Sequence, residues 1–307
     1  MEFNDFCNEI RDNIGEYLLG YDFDNIQLQE VTHNNNTTHT GLLISRSEVN
    51  VAPTIYMEQY YKQYQDTGDM DAVIKEIAET YKASLESTND LQTEIFNQKE
   101  QYFSNCYLKV VNYEKNKEML KDVPYKKFMD LAVTIRMLVR VDETGMASAI
   151  VTHDHTARLY NAALENTEFL FPVRINKLED VIRDLDSNGL VQEELPDTGI
   201  YVLSNLPRIA GATTILYAQD QITQFAEGLE CGFYIVPSST NEVLLCPDNN
   251  DMDPEMLQRT AMEVNEFVVS DTEFLSNSIY HFDKDSREIK MELPDPQIDD
   301  RQNQRRI

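Results

Sequence analysis

Apolar and polar positions follow two different rhythms along this chain, and the rhythm changes from segment to segment. Phe3, Phe6, Cys7, Ile10, Ile14, Tyr17 and Leu18 recur every three or four residues, which predicts an amphipathic helix over 3–19. Ile26 and Leu28, then Leu42 and Ile44, alternate with polar neighbours on either side of a polar turn at 34–40. That pattern predicts a hairpin with Gly41 near its return. A short strand at 50–52, closed by Pro53, and a tyrosine-rich helix at 54–65 are expected next. The clearest helix is 70–86. Met70, Val73, Ile74, Ile77, Ala78, Tyr81 and Leu85 make one apolar stripe, and Asp69 stands where an N-cap belongs.

Residues 95–121 mix helical spacing with Lys109, Lys115, Lys117 and Lys121. From Leu131 to Val141 every second residue is apolar, with Thr134, Arg136 and Arg140 between, and a turn at 142–145 leads into a partner strand at 146–151. Helices are expected at 154–170 and 177–186, the second opening on Asn176 and Glu179 at capping-box spacing. The polar stretch 187–198 reads as a linker. Beyond it a strand is expected at 200–203, helices at 209–217 and 219–229, and paired strands at 233–236 and 242–245. A helix over 253–267 has Pro254 at its first position, and a last hairpin joins 280–282 to 287–291. The fold class implied is α+β: antiparallel hairpins and mixed sheet covered by amphipathic helices. Two subdomains are expected, 1–188 and 198–292, with a disordered tail at 293–307.

Charge narrows the partners. The chain has 54 acidic and 26 basic residues, a formal charge of −28, and only 101–150 reverses the balance. Nucleic acid and anionic membrane are disfavoured as ligands. Spread over a compact chain of this size, the charge is about fourfold more dilute than that of duplex DNA. An acidic nucleic-acid mimic would therefore need its carboxylates to cluster on folding. Cys7, Cys106, Cys231 and Cys246 form no C-x-x-C pair and sit in apolar contexts, which suits free thiols in a reducing cytoplasm. Met1–Asp5 is acidic and lacks a signal peptide's basic start, and no apolar run reaches the ~20 residues that span a bilayer. A cytoplasmic protein with no membrane contact is expected.

Several separated segments occur in an order that resembles one bacterial family. They are Ala52–Tyr56 with Tyr60, Tyr61, Tyr64 and Gln65; Asn112–Asn116; Asp122–Pro124; Gly145–Ser148; Gly211-Ala212; Pro237–Ser239 with Glu242; and Val264-Asn265. The likeness covers about residues 1–292. The family is known only as a domain of unknown function, so the resemblance implies no activity, cofactor or catalytic residue.

Candidate chemistry is sparse. The phosphate-loop, dinucleotide, H-E-x-x-H and G-x-S-x-G signatures are absent, and no cofactor is expected. His153, Asp154 and His155 are metal-capable ligands at a strand-to-helix junction, where the two imidazoles converge only if the strand continues. Asp154 or Thr156 serves equally as a helix cap. Ser238, Ser239 and Glu242 place hydroxyls and a carboxylate at a hairpin tip, as a serine hydrolase or plain turn chemistry would. Asp248–Asp253 has Met252 where a calcium loop needs an oxygen ligand. Tyr56, Tyr60 and Tyr64 share one helix face, suiting either core or interface. Lys109, Lys115, Lys117, Lys121, Lys126 and Lys127, interleaved with Tyr107, Tyr113 and Tyr125, form the one basic segment, suited to an intramolecular acidic surface, an acidic partner or nucleic acid, and Lys115, Lys117 and Lys121 are its protein-binding candidates. The leading expectation is a non-enzymatic protein-interaction or regulatory protein that docks another protein. The alternatives are a metal-dependent or serine-type hydrolase and, third, the nucleic-acid mimic.

Overall fold

The computed structural model describes residues 1–45, 54–88, 103–142, 145–152, 156–186, 195–249 and 253–297. The chain divides into two compact units, Met1–Gln98 and Lys99–Ile307. Both combine α-helices with antiparallel sheet, so the fold is α+β.

In the first unit α1 (Phe3–Asn13) runs into a 3-10 turn at Ile14–Leu18. The hairpin of β1 (Asn25–Thr32) and β2 (Thr38–Ser45) pairs Ile26 with Ile44 and Leu28 with Leu42. Directly opposed residues share a face, so these four apolar side chains form one surface. β3 (Thr54–Tyr56) adds to β2, and α2 (Met57–Thr67) and α3 (Met70–Thr88) follow. Asp69 caps α3 through the Ala72 amide at 3.0 Å. Phe6, Ile10, Ile14, Leu18, Leu42, Val73, Ile77 and Tyr81 are fully buried in one core. The strand expected at 50–52 lies outside the described residues.

In the second unit β4 (Cys106–Asn112) and β5 (Tyr125–Phe128) flank β6 (Leu131–Asp142), and β7 (Gly145–Ile150) pairs with the far half of β6. The expected hairpin at 131–151 is therefore present, whereas the helical signals at 95–121 mislead over 106–112. That segment is apolar on both faces, and such a run lacks the alternation that separates strand from helix. Leu108 and Val110 turn their amides outward from β4. The Thr167 hydroxyl receives the first at 2.8 Å and that of Thr213 the second at 3.2 Å, which closes an otherwise open sheet edge.

After α4 (Ala157–Leu170), capped by Thr156, come β8 (Val173–Lys177), α5 (Leu178–Leu185) and β9 (Tyr201–Asn205). The short α6 (Thr214–Tyr217) and α7 (Gln219–Leu229) precede the β10 (Phe233–Val236) and β11 (Val243–Pro247) hairpin. α8 (Pro254–Phe267) is capped by Asp253, and β12 (Ile279–Asp283) pairs with β13 (Glu288–Leu293). Six of these strands form one antiparallel sheet in the order β13-β12-β10-β11-β9-β8. Gly211 lies under this sheet's loops. A Cβ there would stand 2.0 Å from the Asn241 carbonyl oxygen, so no other residue fits without movement.

Two expectations about organisation change. The stretch 187–198 is no seam between subdomains, because β8 and β9 on either side pair with each other from Val173↔Asn205 to Lys177↔Tyr201. Polar composition marks a loop but does not tell a connection within a sheet from one between domains. Residues 293–297, expected in the tail, belong to the fold instead. Asp295 is buried and accepts the Gln297 amide at 2.9 Å; residues 298–307 lie outside the described residues.

The two sheets of this unit meet at the two-residue turn Met129-Asp130 between β5 and β6. Asp130 Oδ2 accepts the Ser276 and Ser278 hydroxyls, at 2.5 and 2.9 Å, and Oδ1 accepts the Tyr280 hydroxyl at 2.5 Å. Tyr280, Ser276 and Ser278 are all fully buried. Removing the carboxylate leaves three hydroxyls without their acceptor, so Asp130→Ala should cost about 3 kcal/mol or more. Denaturant unfolding of the full chain checks this. A loss below about 1 kcal/mol, the scale of a single neutral hydrogen bond, would contradict the role given to Asp130.

Candidate functional site

The densest polar chemistry of the described residues lies beside α8. Its buried stripe runs Leu257, Ala261, Asn265, so an asparagine takes an apolar position. Asn265 is 7% exposed. Its Nδ2 donates to the Ser276 carbonyl oxygen at 3.3 Å and to Asn277 Oδ1 at 3.0 Å. A carbonyl only accepts, so the amide nitrogen must face it, and this fixes Oδ1 on the other side. There Oδ1 is shut from solvent and has no donor among the described residues. Unmet buried acceptors are uncommon because each costs desolvation without return.

Next to it opens a cleft of about 530 Å³, lined by Asn265 with Lys115, Arg259, Met262, Glu263, Glu266, Asp271, Phe274, Asn277 and Gln297. Arg259, Met262, Glu263 and Glu266 fall at i, i+3, i+4 and i+7 on α8, which puts them on one face. Across from them Lys115 lies with its ammonium 4.1 Å from the centre of the Phe274 ring. The floor is tied to the Asp130 turn. Asn277 bonds the buried carboxyl of Asp295, whose pKa is raised by burial and then by Asp130. Gln258 clamps the Asn277 and Pro294 carbonyls, both at 2.9 Å.

The residues singled out in the sequence go to different places. Of the basic segment, Lys117 pairs with Glu114 at 2.5 Å and Lys121 with Glu118, each neutralised within one turn; Lys115 alone of the three reaches the cleft. Tyr60 is a core residue, its hydroxyl 3.1 Å from that of Thr80, and Tyr64 packs on Phe6. Tyr56 instead stands against His33 and His39. The Ser239 hydroxyl accepts the Asn241 amide at 3.1 Å, the Ser238 carbonyl accepts Leu275 N at 3.0 Å, and Glu242 pairs with Arg208. No histidine is among those partners, and the Ser239 hydroxyl takes part in the turn. His153, Asp154 and His155 lie outside the described residues, and among the described residues no group of three metal-capable side chains forms. Cys7, Cys106 and Cys246 are buried and Cys231 is partly exposed, and none is in a disulfide. Burial pushes Cys246 up to about 12, which keeps it an inert thiol.

The cleft draws together segments far apart in sequence. Asn112 donates to the Leu275 carbonyl at 2.7 Å, and the Pro237 carbonyl accepts Ser276 N at 2.8 Å. So Asn112–Asn116, Pro237–Ser239 and Asn265, all part of the resemblance noted above, meet around 274–278. A family model matches residues 3–284. The chain belongs to DUF5688, a family of unknown function. No curated protein and no solved structure matches it.

Sequence reasoning passed over Arg259, Glu263, Glu266, Asn277 and Gln297. The one available signal was Asn265, a polar residue in the buried stripe of an otherwise ordinary amphipathic helix.

The first unit has its own titratable cluster. The His33 ring lies 4.8 Å from that of His39 and 4.9 Å from Tyr56, with its Nε2 buried and unpartnered. Burial and then His39 hold its pKa below the ordinary 6.5, against an opposing pull from Glu58. The unfolded chain takes up that proton more readily. Stability is therefore full above about pH 6.5 and is lost as pH falls through the lower folded value. Protection factors over residues 1–45 and 54–88, which correct for the slower intrinsic exchange at low pH, should fall through that window, and His33→Phe should flatten the trend. Protection factors that hold steady or rise on acidification would contradict this.

Proposed function

We propose that the chain is a non-enzymatic protein-interaction protein that docks a basic segment of another protein in the cleft beside α8. The observation that carries this reading is the buried, unmet acceptor Asn265 Oδ1 beside a rim of Glu263, Glu266 and Asp271. An acceptor without a donor calls for an N–H group, and a polypeptide supplies one at every residue but proline. The carboxylates favour lysine or arginine side chains. Met262 and Phe274 offer apolar contact, and Arg259 and Lys115 leave room for an acidic neighbour in the same segment. Glu263 and Glu266 make no ion pair among the described residues, so a partner displaces no internal contact to reach them.

The wider expectations belong to the same proposal. A cytoplasmic setting is supported by four free cysteines. Among the described residues no helix is long and apolar enough to cross a membrane. The strongly negative charge of the chain would speed encounter with a basic partner and make it salt-sensitive.

Fluorescence polarisation with labelled octapeptides tests the reading. Peptides combining arginine or lysine with one large apolar residue should bind the full chain, and matched glutamate peptides should not. The double reversal Glu263→Lys and Glu266→Lys should weaken binding by about tenfold. Equal binding of acidic and basic peptides, or binding unchanged in the double variant, would remove the proposal.

A further inference from the structure

A second site stands on the sheet of β4, β6, β5 and β7. Register places Tyr107 opposite Arg136 and Lys109 opposite Thr134. Lys109 and Arg136 are therefore diagonal neighbours on one sheet face, within reach of each other for side chains of their length. Tyr107 and Thr134 beside them are buried, while Lys109 and Arg136 keep only part of their surface open. Two cations lie side by side where cations are costly.

Neither is paired. Among the described residues no carboxylate lies within ion-pair distance of Lys109 or Arg136. Glu273, the acid that acts on Lys109, already accepts the Asn241 amide at 2.8 Å and the Ser270 hydroxyl at 3.1 Å. The Arg136 Nε–H is buried without an acceptor. Several exposed cations of the chain do find carboxylates, as Lys75 does with Asp71 and Lys177 with Asp197, both at 2.6 Å. Burial and the neighbouring guanidinium lower Lys109 to about 8, whereas arginine does not give up its proton in a protein. Buried charges are ordinarily paired, because desolvating an ion without a counter-charge is expensive. A protein of charge −28 has carboxylates to spare, and among the described residues none is placed within ion-pair distance here.

We infer that Lys109 and Arg136 form a binding site for a small oxyanion, a carboxylate or phosphoryl group, held on the sheet face between them. Guanidinium supplies the directional donor, Nε–H, and ammonium a point charge beside it. The group must be small, because Tyr107, Val111 and Ala132 on the same face are already packed into apolar clusters. The site is separate from the cleft beside α8 and asks for a ligand of the opposite charge.

Calorimetry on the full chain at pH 7 tests it, with inorganic phosphate and acetate as the two probes. One of them should bind at one equivalent. Phosphate binding with acetate silent assigns a phosphoryl group, and the reverse assigns a carboxylate. Lys109→Met and Arg136→Gln should each weaken binding by at least about tenfold, with Arg136→Lys restoring part of it. A second readout needs no variant: in nitrogen-15 NMR the Arg136 Nε–H should shift and exchange more slowly when the anion is added. No binding of either anion, binding unchanged in both variants, or an Arg136 signal that ignores the bound anion overturns the inference.

Discussion

One carboxylate, Asp130, sets the geometry of the C-terminal unit. It sits in a two-residue turn of the four-stranded sheet and takes the hydroxyls of Ser276, Ser278 and Tyr280 from the chain that enters β12 of the six-stranded sheet. Sheets pack through apolar faces that slide easily; three charge-assisted hydrogen bonds to one acceptor fix the register between them. The consequence reaches the cleft. With 276–278 fixed, the Ser276 carbonyl and Asn277 Oδ1 are held where they claim both hydrogens of Asn265 Nδ2, leaving Oδ1 unmet. A fully satisfied asparagine would be ordinary packing. One satisfied on a single side keeps a spare acceptor, which a bound segment reaches by opening the cover that shuts it from solvent.

The same unit shows how an acidic chain organises charge. Its exposed Lys117, Lys121 and Lys177 meet carboxylates within a turn of helix or across a loop, and such pairs add little to stability. The informative places are those where pairing fails: the carboxylates on the α8 face, and the Lys109–Arg136 pair on the sheet. In each, unmet groups of one kind gather while partners of the other kind are engaged elsewhere. Net charge alone disfavours polyanions and predicts neither place, because both depend on which side chains the fold brings together.

Periodicity made most of the fold legible. The β1–β2 register, the α3 stripe with its Asp69 cap, the β6–β7 hairpin, the β10–β11 hairpin and Pro254 at the start of α8 all follow from spacing and cap chemistry. β4 was hidden because Cys106–Asn112 is apolar on both faces, and β8 because a five-residue strand between two helices gives too few alternations to register. The segment 268–278 carries no regular element, yet it forms the floor of the cleft and the partner of Asp130. Its hydroxyls and amides look like loop composition, and only the fold reveals that they are buried. Lys115 was visible as a cation but not as a cleft residue, since the acidic neighbours that silence Lys117 and Lys121 are equally near it in sequence.

The central claim is that the unmet oxygen of Asn265 receives a donor from a bound basic segment. The most direct test is a structure of the full chain with a basic octapeptide bound. The account predicts a peptide nitrogen within normal hydrogen-bond distance, about 2.7–3.2 Å, of Asn265 Oδ1, with the amide still turned to Ser276 and a peptide cation at Glu263 or Glu266. A peptide seated elsewhere, or an Asn265 oxygen still without a donor under a bound peptide, would contradict it.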